Sequence, residues 1–273
     1  MGVSELIRTV AKGWARSAGR LTPEETRFFG RNGWVGPFDL CAADEAARLA
    51  GVCEAALQRF DRLEHEAAVD PAAGPAPWRK SLHTQVAALY DLSIDPSIVD
   101  RVCSILGPDV LAWGALPKVA APGNRHRWHV DIEHTAWTGV SAFVGLAGMS
   151  METSLTLVSG SHRVTSTPQD LGLDDDEAVA GHCRGAAQPG DLVTLLVREG
   201  QFFLFDGRLW HGSHNTSDRT RISIILQYCD PSARVRRPLA WSQPLAWADT
   251  PAPCVLAAGA DRHRRNRLAG RPD

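Results

Sequence analysis

The chain has 273 residues and a formal net charge of −2, a length that fits one large β domain or two smaller ones and is enough to bury a sizeable core. A near-neutral balance gives no overall basic field for nucleic acid, and no run of about eighteen apolar residues is present to span a membrane. Cys41, Cys53, Cys103, Cys183, Cys229 and Cys254 are scattered without CxxC spacing; they read as reduced thiols of a cytoplasmic protein, not as a disulfide frame or a zinc site.

Residues 3–18 place Leu6, Ile7, Val10 and Trp14 at helical spacing. Residues 1–20 carry Arg8, Lys12, Arg16 and Arg20 without an apolar core run, so no signal peptide is read. Thr22-Pro23-Glu24-Glu25 predicts a helix start, with Thr22 as N-cap, Pro23 at the first helical position and Glu25 closing a capping box. Gly30 to Gly33 ends that helix, and Trp34 to Phe38 is short and extended. From Asp44 an amphipathic helix sets Leu49, Val52, Cys53, Ala56, Leu57 and Phe60 on one face. Residues 70–77 form a loop within one unit. Asp95-Pro96 opens another helix, whose buried face is Ile98, Val99, Val102, Ile105 and Leu106, and Gly107-Pro108 stops it.

After Gly107 the texture becomes strand-like. Strands are predicted over Val110 to Trp113, Arg127 to Ile132, Val140 to Leu146, Ser154 to Val158, Leu192 to Val197, Gln201 to Phe205 and Ile222 to Tyr228. Residues 160–190 are polar, rich in Gly and Asp, and read as a long loop or mobile lid. Seven strands without crossover helices predict a mainly β, antiparallel jelly roll or sandwich. The whole reads as one domain over 1–273: a mostly helical flank over 1–107, a jelly-roll core over 108–230, and a C-terminal extension over 231–273 with an Arg-rich solvated tail.

The chemistry centres on Trp128-His129-Val130-Asp131. On a strand, residues two apart share a face, so His129 and Asp131 point the same way. One further histidine completes a two-His, one-carboxylate facial site with three open positions, which suits non-haem Fe(II) that must bind a co-substrate and O₂. His211 is the preferred third ligand, with His214 its rival. Arg221-Ile222-Ser223 follows ten residues later. An isolated HxD arises by chance in many chains; the order HxD, isolated His, Arg-x-Ser is what gives it weight.

The chain resembles the phytanoyl-CoA dioxygenase superfamily of Fe(II)/2-oxoglutarate oxygenases. The resemblance rests on Trp128 to Asp131, Ser159-Gly160-Ser161-His162-Arg163, Gly200 to Phe205, His211-Gly212-Ser213, Asn215 and Arg221-Ile222-Ser223, and it covers about residues 21–230. Leu21 to Glu24 and Asn32 to Phe38 look like the opening of the bacterial natural-product branch, which includes hydroxylases and halogenases. The resemblance implies a double-stranded β-helix flanked by N-terminal helices. It implies Fe(II) held by His129, Asp131 and His211, and 2-oxoglutarate anchored by Arg221 with help from Ser223. Val130 stands where the family often has Gln, and Ser159 where it often has Pro.

The expected activity is hydroxylation or oxidative cyclisation of a small polar metabolite, an amino acid derivative or an aminosugar antibiotic, in bacterial secondary metabolism. Two other classes compete: a cupin-like metalloenzyme that does not use 2-oxoglutarate, which Arg221-Ile222-Ser223 argues against, and a non-catalytic β-sandwich binding module, which a complete metal triad argues against. Arg219 is an alternative carboxylate anchor and Lys118 a weaker one. His126 and His134 flank the HxD as solvated or substrate-side residues, Trp113, Trp128, Trp137 and Phe143 are core or pocket wall, and Ser161 and His162 make a turn.

Overall fold

A computed structural model describes residues 19–70, 72, 77–133, 135, 137–186, 188–238 and 247–273. The predicted helix over 3–18, most of the 70–77 loop and His134 lie outside the described residues.

Helix α1 (Pro23–Asn32) starts as its sequence dictates. The Thr22 hydroxyl accepts from the Glu25 amide, the Glu25 carboxylate accepts from the Thr22 amide, and Gly33 ends the helix at φ 80°. Strand β1 (Trp34–Asp39) follows, then α2 (Ala43–Val69), which buries Ala46, Leu49, Ala50, Cys53, Ala56 and Phe60 along one stripe. Helix α3 (Ala87–Ser93) has no cap or periodic stripe long enough to be read from sequence. Helix α4 (Pro96–Leu106) is capped by the Asp95 carboxylate and stops at Gly107.

The remaining body is β: β2 (Val110–Ala120), β3 (Arg125–His129), β4 (Val140–Ala147), β5 (Leu155–Val158), β6 (Leu192–Leu195), β7 (Gln201–Asp206), β8 (His211–His214), β9 (Arg221–Cys229), β10 (Arg236–Pro238), β11 (Trp247–Pro251), β12 (Pro253–Ala258) and β13 (Arg267–Leu268). A seven-stranded sheet runs β1-β7-β4-β9-β2-β12-β13 and a four-stranded sheet runs β3-β8-β5-β6. Apart from β12 with β13, the pairs in these two sheets are antiparallel. This is the expected jelly roll, with helices covering the outer face of the large sheet.

Strand β9 shows how the two faces divide. It is buried throughout, yet it sets Arg221, Ser223 and Gln227 at alternate positions along an otherwise apolar sequence. Tyr228 faces the helices, where its hydroxyl donates to the Ser93 carbonyl at 3.2 Å. Ile222, Ile224 and Leu226 share its phase. Arg221, Ser223, Ile225 and Gln227 have the opposite phase, and Arg221, Ile225 and Gln227 line a cleft of about 1410 Å³ between the sheets.

The structure corrects several expectations. The HxD strand ends at His129, and Val130 and Asp131 lie beyond it. Gln201 to Asp206 is a complete strand; after a turn, His211 opens β8 instead of ending the apolar run. Residues 160–190 are not one long loop. Thr167 caps α5 (Pro168–Leu171) and Asp175 caps α6 (Asp176–Gly185), which buries Val179, Ala180 and Cys183. Those three anchors were obscured by the acidic run Asp174 to Glu177, which is a cap and first helical turn. The C-terminal extension adds to the fold, with the arginines of its end exposed: β12 pairs with β2 inside the large sheet, and Arg271 grips the Asp91 carboxylate through two bonds of 2.7 and 2.8 Å.

Candidate metal centre

Two strands of the smaller sheet deliver the histidines. His129 and His211 face each other in register across β3 and β8, with ring centroids 4.1 Å apart. Each ring is held by a backbone carbonyl two residues earlier: His129 Nδ1 lies 2.8 Å from the Arg127 oxygen, and His211 Nδ1 lies 2.9 Å from the Leu209 oxygen. In the neutral imidazole this makes Nδ1 the donor and leaves each Nε2 lone pair free. Burial, then the neighbouring His211 and His126 rings, hold the His129 pKa well below the ordinary value, so His129 is neutral at pH 7.

Asp131 completes the arrangement. Its Oδ1 lies 3.9 Å from His129 Nε2 and 3.8 Å from His211 Nε2. His129, Asp131 and His211 each offer a ligand atom, all within 4.8 Å of one another, and among the described residues they form the one such group of three. Ser141 Oγ donates to Asp131 Oδ2 at 2.6 Å, and the Gln227 side chain also bonds the carboxylate. Burial alone raises the Asp131 pKa, but His211, Lys80 and these two hydrogen bonds outweigh it and hold the carboxyl below its usual range. Two imidazoles and one carboxylate, aimed at a shared point with open positions, fit a divalent first-row metal such as Fe(II).

Arg221 and Ser223 lie on the cleft-facing side of β9. The Arg221 guanidinium sits 5.7 Å from the Phe143 ring centroid, and its Nη1 donates to the Thr153 carbonyl at 2.5 Å. Burial pushes its pKa down to about 10, so it stays cationic at neutral pH. Asn215 braces the turn that leads into β9, donating to the Ala120 and Arg219 carbonyls at 2.8 and 2.7 Å. Arg221 Nε and Ser223 Oγ are buried and have no hydrogen-bond partner among the described residues. Buried orphans of this kind are uncommon; together, a guanidinium N–H and a hydroxyl suit a carboxylate of a bound molecule.

The rival candidates fall elsewhere. His214 is exposed at the far end of β8, opposite Arg125, and Arg219 is exposed on the preceding turn. His126 packs against His129, with ring centroids 4.2 Å apart. Lys118 lies directly across from Ser223 on β2 and lines the cleft, where burial, partly offset by Asp131, lowers its pKa. Trp113 and Trp137 belong to a buried aromatic cluster with Trp78 and Trp247.

Three polar residues near the metal point escaped the sequence reading. Gln227 carried a usable signal, a polar residue in phase with Arg221 and Ser223 on an otherwise apolar strand. Gly114 makes room for it, since a Cβ there would lie 2.7 Å from Gln227 Oε1. Ser141 sits in a strand that reads as apolar throughout. Lys80 lies in a segment without pattern; its ammonium stands 5.1 Å from the Trp113 ring centroid, and burial pushes its pKa down to about 8.

A jelly roll with a two-histidine, one-carboxylate centre and a buried cation beyond it defines the class, a non-haem metal oxygenase. The sequence profile of the phytanoyl-CoA dioxygenase (PhyH) family matches residues 29–223, and the chain belongs to that family; it is an Fe(II)- and 2-oxoglutarate-dependent oxygenase. Solved structures share the fold. A non-heme monooxygenase, the ThoJ–Ni complex, is 19% identical, with 91% of this chain and 89% of that chain covered and a TM-score of 0.64. CytC3 with Fe(II) and alpha-ketoglutarate is 18% identical over 93% and 94%, with a TM-score of 0.61. EctD from S. alaskensis with bound Fe is 24% identical over 88% of each chain, with a TM-score of 0.62. No curated protein matches this chain.

Proposed function

We propose that His129, Asp131 and His211 hold Fe(II), that Arg221 and Ser223 receive the distal carboxylate of 2-oxoglutarate, and that the protein hydroxylates or oxidatively cyclises a small polar metabolite. The class of substrate in this reading is an amino acid derivative or an aminosugar antibiotic of bacterial secondary metabolism. The carrying observation is the convergence of the two Nε2 atoms and Asp131 Oδ1 in a cleft that Arg221 also lines, with the Arg221 Nε and, two residues on along the same strand, the Ser223 hydroxyl buried and unpaired among the described residues. A likeness to SnoK, a non-heme alpha ketoglutarate dependent carbocyclase from nogalamycin biosynthesis, supports the cyclising alternative; it is 20% identical over 80% of this chain and 88% of that chain, with a TM-score of 0.59.

When bound, Fe(II) with 2-oxoglutarate supplies O₂ activation coupled to decarboxylation of 2-oxoglutarate to succinate. The chain supplies the setting for this. Arg127 and Leu209 carbonyls fix both imidazole tautomers, Ser141 and Gln227 fix the carboxylate, and Arg221 matches one end of a dicarboxylate in charge and shape. A cleft of about 1410 Å³ exceeds a typical ligand pocket of roughly 300–1,000 Å³, leaving room for a main substrate beside the co-substrate. Its outer wall mixes Glu54, Asp61 and Glu64 of α2 with Arg79 and Arg237, a lining suited to a polar molecule. The test is a screen for substrate-stimulated succinate formation across amino acid derivatives and aminosugars. Absence of any 2-oxoglutarate-dependent succinate from protein supplied with Fe(II) would sink the reading.

A further inference from the structure

Strand β3 carries the first metal-ligand candidate, yet it is the outermost strand of its sheet. One edge pairs with β8; the other has no neighbouring strand among the described residues, and Val130, between His129 and Asp131, lies past the end of the ladder. Backbone groups on such an edge need partners from elsewhere. Here side chains of one segment supply them in sequence. Asp174 Oδ1 accepts from the Trp128 amide at 3.2 Å, while its Oδ2 accepts from Arg127 Nε at 2.9 Å. Asp176 Oδ1 accepts from the Trp128 indole at 3.0 Å. Gln169 closes on Val130 from both sides: its Oε1 accepts from the Val130 amide at 3.2 Å and its Nε2 donates to the Val130 carbonyl at 3.3 Å.

We propose that Gln169 is a positioning residue for the metal centre, its carboxamide standing in for an adjacent strand and holding His129 and Asp131 at their mutual spacing. A primary amide presents one donor and one acceptor side by side, as the N–H and C=O of one residue on an adjacent antiparallel strand do, and a carboxylate or thioether of similar length does not. Among the described residues Val130 has no backbone–backbone pairing, so a loss at Gln169 is felt at the residues on either side of it. Gln169, Pro168, Gly172 and Leu173 also line the cleft. A molecule seated against that wall would touch Gln169, and through the Asp174 and Gln169 bonds the segment 167–176 is tied to the strand that carries His129. This rests on the assignment of His129, Asp131 and His211 as ligands.

The test is Co(II) binding to the full chain, followed by visible absorption with and without 2-oxoglutarate, for the unmodified protein and Gln169→Met. Met keeps the length and removes both hydrogen bonds. The dissociation constant should rise about tenfold, as for other partners that orient metal ligands, and the Co(II) absorption envelope should change. Hydrogen exchange gives a second readout: metal should slow exchange over residues 167–176 in the unmodified chain and much less in the variant. Gln169→Glu, which keeps the acceptor for the Val130 amide but sets an anion against its carbonyl, should lose at least as much affinity, and it decides the matter if Gln169→Met does not fold. Affinity, spectrum and exchange coupling equal to the unmodified protein in the variant that folds would overturn the proposal. Failure of the ligand assignment itself shows differently, as Co(II) binding that is unchanged in His211→Ala.

Discussion

Ser141 holds one oxygen of Asp131 and leaves the other to the histidines. Its hydroxyl lies 2.6 Å from Oδ2, whereas Oδ1 is the atom that lies 3.9 Å from His129 Nε2 and 3.8 Å from His211 Nε2. The bond fixes the rotation of a carboxylate that sits past the end of its strand, where backbone pairing does not constrain it. Ser141→Ala is therefore expected to weaken Fe(II) or Mn(II) binding by about tenfold, within the range for lost orienting partners. His129→Ala and His211→Ala should abolish turnover and nearly all metal binding. Titration with Mn(II), read by electron paramagnetic resonance, ranks the three; a Ser141→Ala protein that binds like the parent would remove the role given to that hydroxyl.

Arg221 is expected to set the requirement for 2-oxoglutarate. Leaving the distal carboxylate without its cation in a partly dry cleft costs roughly 2–5 kcal/mol, so Arg221→Ala should raise the apparent constant for 2-oxoglutarate by well over tenfold and that for the main substrate far less. Lys118→Gln, across the ladder from Ser223, should have a smaller effect of the same kind. Arg219→Ala should have none, because Arg219 is exposed on the turn. Equal effects of Arg221→Ala on both substrates would move the anchor elsewhere.

Much of this arrangement is legible in the chain because local chemistry and tertiary structure agree. The Thr22–Glu25 box, the Asp95 cap, the stripe of α2 and the alternation in β9 each state their element directly. The order of His129, Asp131, His211 and Arg221 states the candidate site. What stayed hidden was set by contacts distant in sequence. Asp131 is aligned by Ser141 and Gln227 and not by the period of a strand, and His211 reaches the centre by opening β8 after a turn. Gln169 and Asp174 read as loop polarity, because their partners are backbone groups some forty residues earlier. The acidic run at 174–177 hid a helix start, and the strands after residue 230 were too short and too interrupted by Pro to show a period.

Acid sensitivity has an identifiable source away from the metal centre. His83 is fully buried, its Nε2 lies 3.2 Å from the Ala112 carbonyl, and burial pushes its pKa down from 6.5 to about 4. The unfolded chain takes up this proton first as pH falls, so the stability contributed by neutral His83 is complete above about pH 6.5 and is lost progressively down to about pH 4. Between pH 7 and pH 5 the loss amounts to about 2 kcal/mol. Urea unfolding of metal-free protein at the two pH values checks it. His83→Gln, which keeps a donor for Ala112 without a titrating ring, should lose about that much less over the same interval; an identical pH dependence in parent and variant would place the acid sensitivity in other groups.

The N-terminal stretch resembles a branch of the family that includes halogenases, in which a small residue at the carboxylate position of HxD leaves a coordination position to halide. Here that position is Asp131, and its carboxylate is doubly tied, by Ser141 and Gln227, and kept ionised by its surroundings. A chloride ion would have to displace a charged ligand that the protein already holds in place, and it would enter a region where that displaced charge, still buried, opposes it. The protein is therefore expected to add one oxygen to its substrate, or to remove two hydrogens in closing a ring, with chloride in large excess. Product mass checks this once a substrate is in hand. A check that needs no substrate is the visible spectrum of the Co(II)- and 2-oxoglutarate-loaded protein, which should not respond to chloride in the parent and should respond in Asp131→Gly. A chlorinated product, or a chloride-dependent spectrum in the parent, would show that Asp131 does not occupy the metal.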